Sequence, residues 1–210
     1  MKNLETITQY WDELFPNPTT DLHYENTYQL LVAVLLSAQT TDKAVNQVTP
    51  VLFKRFPTIQ SLAQATIEEI APIIQTIGLY KTKAKHLQAM ANRVLIHYQG
   101  RIPPTLEDLI TLPGVGRKTA SVVLVEGFGI PAFPVDTHVT RIAKRLGLTQ
   151  QKDSTYHIEI SLKKHFPPHE YHRRHHQMIL FGRYHCKAIK PQCESCQLTS
   201  VCLYQKESKK

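Results

Sequence analysis

No cysteine occurs in the first 185 residues of this 210-residue chain. A disulfide framework of the kind that staples small secreted domains is thereby excluded from most of its length. Long apolar runs are missing too, since none reaches the roughly 18 residues that a membrane-spanning helix needs. The start, MKNLETITQYWDELFP, lacks the basic segment and apolar core of a secretory leader, so a cytoplasmic location is expected. No stretch alternates apolar and polar residues over strand length, and neither an internal repeat nor a low-complexity linker is found. Acidic residues are the minority charge, 17 against 25 Lys and Arg, for a net charge of +8. That balance favours a polyanionic partner, nucleic acid or an anionic membrane surface, without choosing between them.

What is present is helical. A hydrophobic content of 42% can bury a substantial core, in one large domain or two small ones. In KTKAKHLQAMANRVLIHY the apolar residues Leu87, Met90, Ala91, Val94, Leu95 and Tyr98 recur at three and four, one face of a helix. Thr66 with Glu69, and Thr105 with Asp108, carry the pattern of helix N-caps, while Gly78, Gly100 and Gly147 fall where helices should stop. YQLLVAVLLSAQ, residues 28–39, is apolar on nearly every side and reads as a central buried helix. The expected architecture is all-α, in about ten short helices.

Two stretches carry chemistry. LPGVGRKTAS, residues 112–121, places Gly114 and Gly116 in a sharp turn before a helix that begins with Arg117 and Lys118. Glycine accepts positive φ without steric cost, and the amides of a helix N-terminus make a site suited to phosphate. Within the last 25 residues the spacing C-x6-C-x2-C-x5-C gathers Cys186, Cys193, Cys196 and Cys202. So local a cluster reads as a metal site rather than as disulfides.

LPGVGRKTA, VDTHV at 135–139, the cysteine spacing, LLSAQTTDKAVN near residue 40 and IGLYKTKA near residue 80 together resemble the endonuclease III branch of the helix-hairpin-helix DNA glycosylases. The resemblance spans nearly the whole chain. It implies a six-helix barrel domain at about 22–132, with the helix-hairpin-helix at about 105–127. A second, iron-sulfur domain would combine 1–21 with 133–210, and DNA would lie in the groove between the two. It further implies a monomer, associated with the nucleoid, that acts on double-stranded DNA holding damaged pyrimidines or abasic sites.

On this resemblance Lys118 is the nucleophile. Lysine attacks only as the neutral amine, which a helix N-terminus, partial desolvation and the neighbouring Arg117 all favour. Lys118 would displace the base from C1′ and form a Schiff base, from which β-elimination expels the 3′ phosphate. Asp136 reads from the sequence as an N-cap, and in the family the matching aspartate also stabilises positive charge on the sugar and takes up protons. His138 is left as a structural or phosphate-side residue. Gln39 and Leu79 match the positions that fill the stack once the damaged nucleotide is rotated out. The hairpin's Gly114, Gly116 and Arg117 would meet phosphates, and carbonyls of Ile110, Leu112 and Val115 match the family's ligands for a monovalent cation.

The cysteine segment has one C-x2-C, whereas a structural zinc site usually has two short-spaced pairs. Four thiolates suit a [4Fe-4S] cluster, whose spacing in this family is the one found here. Lys187 and Lys190, in CKAIKPQC, then lie on a braced turn within reach of phosphates. Adenine-removing relatives use a glutamate on the helix before the glutamine turn and lack the lysine; residues 26–41 hold no carboxylate and Lys118 is present. A non-catalytic DNA-binding module would keep the hairpin without needing both Lys118 and Asp136. An electron-transfer protein would explain the cysteines and not the hairpin.

Overall fold

A computed structural model describes residues 2–208, and no strand occurs among them. Twelve α-helices follow in order: α1 (Lys2–Leu14), α2 (Thr27–Leu36), α3 (Asp42–Arg55), α4 (Ile59–Gln64), α5 (Ile67–Ile70), α6 (Tyr80–Tyr98), α7 (Leu106–Leu109), α8 (Arg117–Val122), α9 (Thr137–Arg145), α10 (Thr155–His165), α11 (Tyr171–Leu180) and α12 (Leu203–Ser208). Single π-helical turns, Val123–Gly127 and Phe181–His185, prolong α8 and α11. The count exceeds ten partly because residues 59–70 form two short helices, each closed by its own capping box at Thr58 and at Thr66.

The chain divides into two compact units, Asp21–Ile130 and Met1–Thr20 with Pro131–Lys210. In the first, α2 is the centre. Its residues from Tyr28 to Leu36 are all buried, as its all-round apolar sequence requires, and α3, α6 and α8 pack on it. Asn26 caps α2 by accepting the Gln29 N–H at 3.0 Å. On α6 the buried face is Ala84, Leu87, Met90, Ala91 and Val94, with Lys83 unexpectedly on the same stripe. Leu95 and Tyr98 are only half-buried. The Tyr98 hydroxyl donates to Asp108 Oδ1 at 3.2 Å, which ties the end of α6 to the short helix α7 before the glycine turn. Thr105 caps α7 by accepting the Asp108 N–H.

The second unit joins the N-terminal arm to the C-terminal third of the chain. Ile7 and Trp11 of α1 are fully buried in one cluster with Phe133, Ile142, Leu162 and Phe181. Asp12 accepts from Arg174 Nη1 at 2.6 Å and from Gln177 Nε2 at 2.8 Å, so α1 is fastened to α11 by charge as well as by packing. Arg174 also meets Glu170 at 2.8 Å, and Lys163 meets Glu159 at 2.6 Å. Part of the basic segment 163–190 is therefore neutralised within the unit.

The three glycines read as helix stops behave differently. Gly147 takes φ 70° after α9, and Leu148 N donates back to Ala143 O at 2.9 Å, the wrap that closes a helix C-terminus. Gly100 takes φ 77°, preceded by Gln99, itself left-handed. Gly78 does not end a helix by a left-handed turn: the positive φ, 60°, belongs to the next residue, Leu79, which caps the start of α6.

Candidate functional site

The helix-hairpin-helix consists of α7, a turn over residues 110–116, and α8. Leu112 and Val115 are buried and anchor the turn, and Val115 N donates to Leu112 O at 3.0 Å. The two glycines have different reasons. Gly114 takes φ 78°, and a Cβ there would fall 2.8 to 2.9 Å from atoms of the His86 ring and side chain. Gly116 has φ −89°, so the expectation that both glycines use positive φ is corrected: Gly116 is the extended N-cap of α8. A Cβ on it would meet nothing within 4 Å. The missing side chain at 116 therefore leaves the backbone open to approach by a ligand rather than enabling the turn.

Arg117 and Lys118 open α8, and both are exposed. The first-turn amides of a helix have no intrahelical partners and carry the positive end of the dipole. Lys118 thus projects from the end of a helix suited to an anion. The partial desolvation expected for it is not supplied by the chain alone.

Gln39 and Leu79 lie on two turns that the fold makes neighbours. Both take left-handed backbones, φ 54° and φ 60°, and both are exposed, Leu79 to 60%. A Cβ on Gly78 would come within 3.9 Å of Gln39 O. Beneath them lies a residue the sequence reading missed. Lys83 is 4% exposed, and its ammonium donates to Leu36 O at 2.8 Å and to Thr40 Oγ1 at 2.6 Å. Burial pushes its pKa down from the ordinary lysine value. The signal was its place four residues before Leu87 on an otherwise apolar stripe.

In the other unit, Asp136 caps α9 by accepting the Val139 N–H at 2.7 Å, and it is half-buried. His138 is half-buried beside it, its Nδ1 3.2 Å from Arg141 Nη2. Burial lowers the His138 pKa, with Asp136 raising it and Arg141 and Arg183 lowering it further. Arg141 also donates to Gly182 O at 2.7 Å, so His138 belongs to a packed helix contact.

The four cysteines line one pocket with Leu146, Phe181 and Tyr204. Burial raises the Cys186 and Cys196 thiols above the ordinary cysteine value, and neighbouring sulfurs add to the effect on both. Clustered thiols that oppose one another's ionisation fit a site whose charge is balanced by bound metal. Arg145 works against that rise at Cys186: its Nη1 stands 3.2 Å from Cys186 Sγ. The same guanidinium donates to Lys187 O at 2.8 Å and to Ala188 O at 3.3 Å. Lys187 and Lys190 are exposed, Lys190 at φ 51°.

Among the described residues no helix is long and apolar enough to cross a membrane. Residues 32–168 match the HhH-GPD superfamily of base excision DNA repair proteins. Endonuclease III of Bacillus subtilis (strain 168) is 42% identical over 202 residues, 96% of this chain and 92% of that protein. A non-covalent endonuclease III–DNA complex has the same fold at TM-score 0.94, with 42% identity over 99% of this chain and 97% of the other. A trapped endonuclease III–DNA covalent intermediate matches at TM-score 0.93 and 42% identity, over 99% of both chains. The chain belongs to the HhH-GPD superfamily and, within it, to the endonuclease III family.

Proposed function

We propose that this protein is a bifunctional DNA glycosylase and AP lyase of base excision repair that removes oxidised pyrimidines from duplex DNA. The observation that carries the reading is Lys118, exposed at the first turn of α8 directly after the open backbone of Gly116, in a chain 42% identical to a protein trapped covalently on DNA.

The neutral amine of Lys118 attacks C1′ of the damaged nucleotide, a C–N bond forms, and the glycosidic bond breaks with the base leaving as its protonated form. Opening of the sugar ring gives an iminium ion at C1′. That electron sink acidifies C2′; loss of a C2′ proton supplies the pair that breaks the C3′–O bond and expels the 3′ phosphate, and water then releases the lysine. Asp136 provides an ionised carboxylate for the charge developing on the sugar and a base for protons in transit. Phosphates are met by the amides of the hairpin, by Arg117, and by Lys187 and Lys190 on the cysteine loop. Gln39 and Leu79 occupy the stack that the rotated nucleotide vacates.

Cys186, Cys193, Cys196 and Cys202 would hold a [4Fe-4S] cluster, which when bound braces the loop and supplies no step of the reaction. The carbonyls of Ile110, Leu112 and Val115 are assigned to a monovalent cation that stiffens the hairpin. The protein is read as a cytoplasmic, nucleoid-associated monomer.

The test is borohydride reduction during turnover of duplex DNA containing thymine glycol, followed by sequencing of the cross-linked peptide. The adduct is expected on Lys118, and Lys118→Gln should abolish it while duplex binding survives, because phosphate contacts supply most of the affinity. An adduct on another lysine overturns the assignment.

A further inference from the structure

Lys83 has no place in the reaction above, yet it is a buried ammonium with no carboxylate among the acceptors of its hydrogen bonds. A charge in such a position is costly unless oxygen atoms replace its water. Here they come from a single structural feature, the end of α2 and the turn that follows. Leu36 is the last residue of α2, and its carbonyl is one of those a helix leaves without an intrahelical partner, at the negative end of the dipole. Thr40 lies four residues on, just past Gln39. The ammonium therefore spans the turn 37–40 from base to far side.

The main chain of Lys83 makes a second tie. Its N–H donates to Leu79 O at 2.9 Å, the first hydrogen-bonded turn of α6. One residue thus holds Leu79 through its backbone and the Gln39 turn through its side chain. Both held residues are non-glycine in the left-handed region, a conformation that persists only where the surroundings impose it. Ser37 adds to this by donating its hydroxyl to Val34 O at 2.8 Å, and Thr40 N by donating to Ser37 O at 3.1 Å. Neither of these reaches the Leu79 turn.

We infer that Lys83 is a positioning residue for nucleotide extrusion, locking the Gln39 and Leu79 turns in the spacing at which both side chains enter the DNA stack together. The inference rests on the reading of Gln39 and Leu79 as the residues that fill the vacated stack. Its consequence is specific: losing Lys83 impairs what a stacked duplex demands and spares what an unstacked strand demands.

The experiment compares single-turnover cleavage of an abasic site in duplex with cleavage of the same site in single-stranded DNA. A 2-aminopurine opposite the lesion reports extrusion by fluorescence. Lys83→Met keeps length and removes the donor. It should slow duplex cleavage and the fluorescence rise by at least about tenfold, while single-strand cleavage changes by less than about twofold, because only the duplex must be unstacked. Thr40→Val removes one of the two acceptors without entering the core, so it keeps the test valid if Lys83→Met does not fold. It should lower the duplex-to-single-strand ratio in the same direction. Equal losses on both substrates, or an unchanged ratio in a folded variant, overturn the role of Lys83. Gln39→Ala and Leu79→Ala separate the two levels. If these leave the ratio unmoved, the reading of the two stack residues fails; if they lower it and Lys83→Met does not, the failure is that of Lys83 alone.

Discussion

Arg145 reaches Cys186 across forty-one positions of sequence, with Nη1 3.2 Å from the sulfur, while its guanidinium carbon lies 4.2 Å from the centre of the Tyr204 ring. The same side chain donates to the carbonyls of Cys186, Lys187 and Ala188. A helix, the cysteine loop and the segment after the last cysteine are thereby joined by one planar group. Arg145→Met keeps the stem and loses the donors. With the proposed [4Fe-4S] cluster on the four cysteines, iron release to a chelator should accelerate by at least about tenfold, equivalent to ~1.4 kcal/mol, well within what several charge-assisted hydrogen bonds contribute. Hydrogen exchange over 187–190 should rise in parallel. Iron retention equal to the parent protein would show that packing alone orders the loop.

The glycines of the hairpin should separate folding from binding. At Gly114 an alanine faces both φ 78° and the His86 side chain at under 3 Å, so Gly114→Ala should cost about 1–2 kcal/mol of stability or more, read from denaturant midpoints. At Gly116, with φ −89° and open space beyond, Gly116→Ala should leave stability unchanged or slightly higher. Its penalty should appear in duplex affinity, because the added methyl would stand between the backbone and the phosphate proposed to meet it. Equal stability losses in the two variants would contradict the division of roles.

Asp136 should likewise show two separable contributions. Asp136→Asn retains an oxygen for the Val139 N–H and loses the charge, so stability should hold while base removal slows by at least about tenfold, since an ionised group at developing positive charge contributes more than ~1.4 kcal/mol. Asp136→Ala loses both, and thermal stability should fall by about 1 kcal/mol, the usual effect of deleting a cap. An unchanged single-turnover rate in Asp136→Asn would leave the residue as a cap only.

The all-α class and the buried α2 were legible in sequence because they depend on local patterns: apolar residues at three and four, threonine three residues before an acid, an unbroken apolar run. The cap at Asp136 was legible for the same reason. Lys83 and Arg145 were not, because their partners lie 43 and 41 positions away in sequence, and a lysine or arginine on a helix looks solvated until the packing is known. The left-handed turns at Gln39 and Leu79 were hidden differently. Non-glycine residues take that conformation chiefly where tertiary contacts impose it, so the local sequence carries no signal for it. At Gly116 the residue type was read correctly as special and for the wrong physical reason, since an extended N-cap and an unobstructed backbone leave the same trace in sequence as a turn.

The fastening of α1 to α11 predicts an acid limit to stability. Partial burial of Asp12 raises its carboxyl pKa, but hydrogen bonds from Gln177 and Arg174 and the charges of Arg174 and Arg173 outweigh it, and the pKa ends below its ordinary value of 3.8. A carboxylate depressed in the folded state stabilises fully above its unfolded pKa, and that stability is lost as pH falls through the folded value. The loss should therefore begin near the ordinary value and continue below it. Asp12 is partly exposed, 36% at its side chain, so solvent screens the effect and its size should be modest. Arg174, 8% exposed, is the partner that suffers most when Asp12 is neutralised, because Glu170 then remains its one carboxylate acceptor among the ion pairs described. Asp12→Asn should lower the denaturant midpoint at pH 7 and flatten its decline below about pH 4, so that the two proteins converge in acid. Parallel curves for the variant and parent protein would show that other carboxylates set the acid limit.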